Sequence, residues 1–142
     1  SGIYRRLFSW EDYIKVTDKI INLLGEPNPI SAIYANGLGP DAPKHTWRKP
    51  SPEMILNASF TLKINLEKSL LIGDRLSDIK SGLRAGIKKI IHVETGHGIN
   101  EKKQIYSFIN GENYRNQYLD YDISFVKNLN ELLETKKDQL LI

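Results

Sequence analysis

Two carboxylates one helical turn apart, Asp74 and Asp78, follow an apolar run in Leu70-Leu71-Ile72-Gly73-Asp74-Arg75-Leu76-Ser77-Asp78. A buried parallel strand ending in glycine delivers the next side chain to the C-terminal edge of its sheet, where open α/β folds bind their ligands. A carboxylate there suits a hard cation such as Mg²⁺. Asp78 can reach the same space and serve the ion, a metal-bound water or a nearby lysine. Read as a turn residue and a helix-capping acid, Asp74 and Asp78 fit the segment equally well. On these nine residues alone both readings stand.

Arg48-Lys49-Pro50 is the second segment with chemistry in it. Two adjacent cations precede a Pro-Ser-Pro helix start, where free backbone N–H groups and the helix dipole favour an anion. Arginine offers a bidentate fork and lysine a point charge, and phosphate recognition uses both. Taken alone, surface decoration is the stronger reading of the pair. Joined to the acid at the strand end, the cations supply the positive half, and Asp74 the metal-binding half, of a phosphoryl-transfer site.

The elements that must position these groups are readable from periodicity. Ser9 with Asp12 resembles a capping pair, and Tyr13, Ile14, Val16, Ile20, Ile21, Leu23 and Leu24 follow at helical spacing until Gly25 and two prolines. Ile30 to Ala35 reads as a short strand and Asn36 to Trp47 as a loop. Pro52 opens a helix that continues from Glu53 to Leu62. Ser69 to Gly73 is a strand, Asp78 to Ala85 a helix ended by Gly86, and Lys89 to Val93 a further strand. Glu101 to Ile109 reads as helix, Asn110 to Tyr121 as a polar loop, Asp122 to Val126 as a strand and Leu129 to Lys137 as a terminal helix. Strands alternating with helices predict an α/β fold with a mostly parallel sheet.

Composition bounds the function. The 142 residues are 40% hydrophobic and 26% charged, values of an ordinary globular domain. No apolar run nears the roughly 20 residues of a membrane span. The formal charge of +3 is mild and its lysines are scattered, so neither a nucleic-acid surface nor a membrane partner is expected. The N-terminus lacks the layout of a secretion signal, and cytoplasm is the default compartment. With no cysteine there is no thiol nucleophile and no thiolate zinc site. His92 reads as packing within a strand; His97, between two glycines, reads first as a solvent-exposed residue and second as one lining the site mouth.

At this point the chain resembles a known family. Arg48-Lys49-Pro50-Ser51-Pro52-Glu53-Met54-Ile55, followed by Leu71-Ile72-Gly73-Asp74-Arg75-Leu76-Ser77-Asp78, is similar to the third and fourth motifs of haloacid-dehalogenase-superfamily (HAD) phosphatases. The branch it resembles contains histidinol phosphatases and D-glycero-D-manno-heptose 1,7-bisphosphate phosphatases. Ser1-Gly2-Ile3 with Phe8 resembles the tail of that branch's T-N-Q-S-G-I segment, and Val93-Glu94-Thr95-Gly96-His97-Gly98 the strand and turn after motif four. The resemblance runs from Ser1 to about Gly98, with weaker agreement from Asp122 to Leu133.

The resemblance implies a three-layer, Rossmann-like HAD fold and an Mg²⁺-dependent phosphomonoesterase. In such enzymes one aspartate attacks the phosphoryl group and a second, two residues on, is the general acid/base. Lys49 matches the lysine that steadies the nucleophile and the transferring phosphate. Arg48 matches an arginine on substrate phosphate, Asp74 the Mg²⁺ ligand, Arg75 a basic neighbour and Asp78 a supporting acid. The implied substrate is a small phosphorylated metabolite, a sugar phosphate or bisphosphate such as heptose bisphosphate. Oligomeric state is left open.

Two departures from the pattern shape the expectations. No D-x-D precedes the cation pair, so the nucleophile and its central strand are expected on a segment upstream of Ser1. Residues 1–142 are then a single HAD-like domain lacking its N-terminal part, inactive alone and marginal in folding, with apolar strand edges inviting aggregation. Asp120-Tyr121-Asp122 has D-x-D spacing but lacks the apolar run that would precede a nucleophile. The loop from Asn36 to Trp47 holds His45 but no cysteine, so no zinc is expected. The rival expectation is a non-catalytic HAD-like binding or assembly domain that keeps the anion and metal half-site.

Overall fold

In the computed structural model, which describes residues 1–135, the chain divides into two units, Ser1–Arg48 and Lys49–Ile142. In the first, Ser9 starts helix α1 (Trp10–Leu24) with a reciprocal cap: its Oγ accepts the Asp12 N–H at 3.1 Å and its own N–H donates to Asp12 Oδ2 at 2.8 Å. Two of the donors orphaned at a helix start are thereby satisfied. Gly25, at φ 70°, ends the helix. The apolar positions read at helical spacing do lie on this helix, yet none of its residues is buried.

Ile30 to Ala35 is not a strand; it runs in no ladder among the described residues. Strand propensity expresses fit to a neighbouring strand, and without such a partner the apolar residues do not make one. The following loop is organised by local bonds. Asn36 Oδ1 accepts the Leu38 N–H at 2.9 Å, and Tyr34 packs edge-on against Trp47 with ring centroids 5.6 Å apart.

In the second unit three strands make a parallel sheet in the order β1-β2-β3, with β1 at Leu70–Gly73, β2 at Lys89–Val93 and β3 at Asp122–Val126. The register aligns Leu71, Ile90 and Ile123, and one step on Ile72, Ile91 and Ser124. Because strand side chains alternate, Leu71, Ile90 and Ile123 share one face while Ile91, Val93 and Val126 share the other.

The first face carries the larger core. Ile79, Leu83, Ile87, Ile90 and Ile105 are buried together, joining the sheet to α3 (Leu76–Ala85) and α4 (Gly98–Ile109), with Ile55 of α2 (Glu53–Leu62) packed at its edge. Each fully buried isoleucine contributes about 1.5–3 kcal/mol over its exposed state. The second face is covered by Leu132 of α6 (Leu129–Thr135), which packs on Ile91, Val93 and Val126. The result is a helix–sheet–helix layering, as the α/β reading predicts. Gly86, left-handed at φ 88°, caps α3 and turns the chain toward β2. A 3-10 turn (Leu66–Lys68) leads into β1.

Asn110 to Tyr121 is not a plain loop: Glu112–Gln117 forms a short helix, α5. Tyr114 and Tyr118 stand one turn apart, and Phe108, Tyr114, Tyr118 and Tyr121 contact one another in sequence at centroid distances of 5.2–5.6 Å. Aromatic packing onto the end of α4 outweighs the polar character of the segment. The predicted terminal helix runs to Thr135; Lys136 and Lys137 lie outside the described residues. Among the described residues no helix is long and apolar enough to cross a membrane. Strand β1 pairs with β2 alone there, and its Ile72 is 43% exposed.

Candidate active site

Asp74 leaves the sheet at the C-terminal end of β1, directly after Gly73. A Cβ at Gly73 would fall 2.5 Å from Asp78 Cβ and 2.9 Å from its Oδ2, so only glycine lets α3 bring Asp78 against the strand end. Asp78 is 6% exposed and occupies the first turn of α3. Its Oδ2 accepts two backbone N–H groups, from Asp74 at 3.1 Å and Arg75 at 2.9 Å. Its Oδ1 makes no hydrogen bond but is in ion contact with Lys49 Nζ. Lysine and strand end are thus tied to one buried carboxylate. The capping reading of Asp78 and its reading as a partner for a nearby lysine hold together.

Asp74 itself is held from the far side of the site. Its Oδ2 accepts the backbone N–H of His97 at 2.8 Å, from the turn between β2 and α4. Burial raises the Asp74 carboxyl, but the N–H groups of His97 and of Asp74 itself, with the charges of His97 and Arg75, outweigh it and hold it below the ordinary 3.8. At neutral pH it is a carboxylate, the form that binds a cation.

The turn is shaped by its glycines. Gly96 sits at φ 63°, a conformation costly for residues with a Cβ, and a Cβ there would approach Asp74 Oδ2 to 2.5 Å. A Cβ at Gly98 would lie 1.9 Å from the Val93 carbonyl oxygen. His92 is fully buried on β2, stacks edge-on against Phe125 at 5.4 Å, and its Nε2 lies 3.1 Å from the Gly98 carbonyl oxygen. It packs, as predicted, and its ring meets the start of α4. His97 is exposed.

Further contacts fix the surroundings. Arg84 Nη1 donates to the Pro50 carbonyl at 2.9 Å, fastening the residue after Lys49 to the end of α3. Glu101 of α4 accepts the Leu76 N–H at 3.1 Å, and Lys102 of α4 pairs with Glu94. The sequence reading missed Arg84, Glu101 and the His97 N–H. The Gly-His-Gly doublet after β2 is the one signal that could have pointed to that turn. Arg48 belongs to the first unit, where its Nη1 donates to the Leu38 carbonyl at 2.7 Å. Arg75 is half-buried beside Asp74 and precedes α3. Among the described residues no group of three or more His, Cys, Asp or Glu is placed to hold a metal. Asp74 offers one carboxylate, which accords with Mg²⁺, an ion commonly bound through one or two carboxylates, waters and substrate phosphate.

The model of the HAD-hydrolase-like family matches residues 46–111, the stretch that holds Lys49, the strand end at Asp74 and α3. The chain is similar to the HAD superfamily, and the curated relatives it matches are heptose-bisphosphate phosphatases. It is 37% identical over 94 residues to a D-glycero-beta-D-manno-heptose-1,7-bisphosphate 7-phosphatase of Mesorhizobium japonicum, covering 61% of this chain and 43% of that one. Over 108 residues it is 39% identical to a D-glycero-alpha-D-manno-heptose-1,7-bisphosphate 7-phosphatase of Photorhabdus laumondii, covering 71% and 59%. The chain therefore spans about half the length of these curated relatives. The crystal structure of D,D-heptose 1.7-bisphosphate phosphatase from B. bronchiseptica, complexed with magnesium and phosphate, matches with a TM-score of 0.76 and 24% identity. That match covers 98% of this chain and 70% of the other, and it establishes the fold.

Proposed function

We propose that the protein is an Mg²⁺-dependent phosphatase of sugar bisphosphates, heptose bisphosphate foremost, acting in the cytoplasm. The observation that carries this reading is the cluster at the end of β1. One buried carboxylate, Asp78, binds both Lys49 and the backbone leading to Asp74, so a cation and an ionised acid share one mouth. The names of the relatives support the substrate class.

In this proposal Asp74 is the protein's metal ligand within these residues, with Asp78 behind it, and Mg²⁺ when bound supplies charge neutralisation at the phosphoryl oxygens. Lys49 Nζ, half exposed, binds the transferring phosphate and holds the attacking carboxylate in place. Arg48 and Arg75 bind substrate phosphate. Beyond these groups the reaction calls for a general acid/base and, two residues before it, an attacking aspartate. Its oxygen bonds to phosphorus as the sugar–oxygen bond to phosphorus breaks, and the neighbouring acid protonates the departing sugar oxygen. Water, deprotonated by that same residue, then attacks phosphorus and releases inorganic phosphate and the free carboxylate.

The test is phosphate release from a panel of phosphosugars, with and without Mg²⁺, by the protein expressed with whatever the gene encodes before Ser1. Turnover of heptose bisphosphate ahead of monophosphates is expected, with loss on chelation. An upstream frame without a D-x-D, together with no turnover of any substrate, would instead favour a non-catalytic binding domain.

A further inference from the structure

A cleft of about 210 Å³ opens between α3, the end of α4 and α5, and none of its lining residues belongs to the Lys49–Asp74–Asp78 cluster. Its wall on α3 is Lys80, Leu83 and Arg84, whose spacing puts both cations on one helical face. Across from them stand the rings of Phe108, Tyr114 and Tyr118, with the side-chain amides of Asn113 and Gln117 at the rim. Lys80 Nζ lies 4.9 Å from the centre of the Phe108 ring, a cation–π distance. No carboxylate pairs with Lys80 or Arg84 among the described residues. Two cations without acidic partners, facing a row of aromatic rings, form an unneutralised, partly apolar pocket.

That chemistry selects a ligand. The cations call for an oxyanion, the rings for a flat apolar body, and the amides for a polar substituent. Size narrows it: pockets for drug-sized ligands run to about 300–1,000 Å³, and this one is smaller. We propose that the cleft is a binding site for a small single-ring aromatic anion, its ring on Tyr114 and Tyr118 and its oxyanion between Lys80 and Arg84. Arg84 is shared, since it also donates to the Pro50 carbonyl beside Lys49. An occupant that draws on its guanidinium touches the segment carrying that lysine.

The full chain is titrated with phenylphosphonate in the presence of a chelator, and tyrosine signals are followed by NMR. Methylphosphonate carries the anion without the ring, and benzyl alcohol the ring without the anion. Saturable shifts of Tyr114 and Tyr118 are expected, with a dissociation constant of about 1 mM, an ordinary affinity for so small a ligand. Methylphosphonate and benzyl alcohol are expected to bind at least about tenfold more weakly. Lys80→Gln and Arg84→Gln, both away from the buried core, should each weaken phenylphosphonate by about tenfold while keeping the amide spectrum of the folded chain. Lys49→Ala should leave the affinity unchanged. No saturation by about 20 mM, equal binding of methylphosphonate, or binding lost with Lys49→Ala but kept in the Lys80 and Arg84 variants would overturn the assignment.

Discussion

The backbone N–H of His97 donates to Asp74 Oδ2 at 2.8 Å, across 23 positions of sequence. The turn after β2 therefore sets the orientation of the acid at the end of β1. A backbone donor cannot be removed by changing its side chain, so the geometry of the turn is the quantity open to experiment.

Gly96→Ala is expected to disturb that geometry twice. The residue sits at φ 63°, and its new methyl would fall 2.5 Å from Asp74 Oδ2. The backbone conformation alone costs about 1–2 kcal/mol for an L-residue, visible in urea unfolding. In the upstream-extended protein, a carboxylate displaced by about 1 Å should cost the proposed phosphatase activity about 100-fold in turnover. Kinetics equal to those of the parent protein would refute this account of the turn.

Asp78→Ala removes the acceptor of two backbone N–H groups and the ion partner of Lys49. Destabilisation of about 3 kcal/mol is expected, since buried donors lose a charged partner. Lys49→Ala should cost less, about 1–2 kcal/mol, because the lysine side chain is 52% exposed and the buried Asp78 keeps both backbone N–H partners. Comparing urea midpoints of the two variants checks the order; the reverse order would contradict it.

Acid should weaken the fold before alkali does. Asp74 lies below 3.8 because hydrogen bonds outweigh its burial, and Glu94 below 4.5 because Lys102 donates to it. A carboxyl lowered in the folded state adds stability that is complete above its unfolded value and fades as pH falls through the folded one. Lys102, raised above 10.5 by the same Glu94 bond, adds stability that holds below 10.5 and fades as pH climbs past its folded value. Urea midpoints should therefore be level from about pH 6 to 9 and fall below about pH 4.5. Asp74→Asn should flatten the acid limb. The Glu94–Lys102 contribution is small, since the pair is solvent-screened.

Ile72→Lys should leave unfolding midpoints nearly unchanged and reduce self-association. Ile72 is 43% exposed on β1, an edge strand among the described residues, and a lysine on an edge opposes strand-to-strand pairing. Light scattering against concentration measures it; unchanged scattering would count against the edge as the point of association.

The parts legible in the sequence were those whose signals are local. Leu70 to Ala85 announced a strand, a glycine turn and a helix because apolar runs, Gly73 and Gly86 each act within a few residues. Asp78 was legible as a cap and as a lysine partner, while the choice of Lys49 required the fold. Ile30 to Ala35 misled because a strand depends on a neighbour that its own residues do not encode. Glu112–Gln117 was hidden because its helix rests on Tyr114 meeting both Phe108 and Tyr118, not on an apolar stripe. The His97 N–H was illegible for a simpler reason: every residue but proline has one.

Gly73 against Asp78, Gly96 against Asp74 and Gly98 against the Val93 carbonyl are three places around the site where an atom is missing. In a saturation mutagenesis map these positions would stand out as depleted columns beside the charged ones, although none offers a side chain to a ligand. The outline of the site would be drawn as much by the codons that must stay empty-handed as by those that encode its charges.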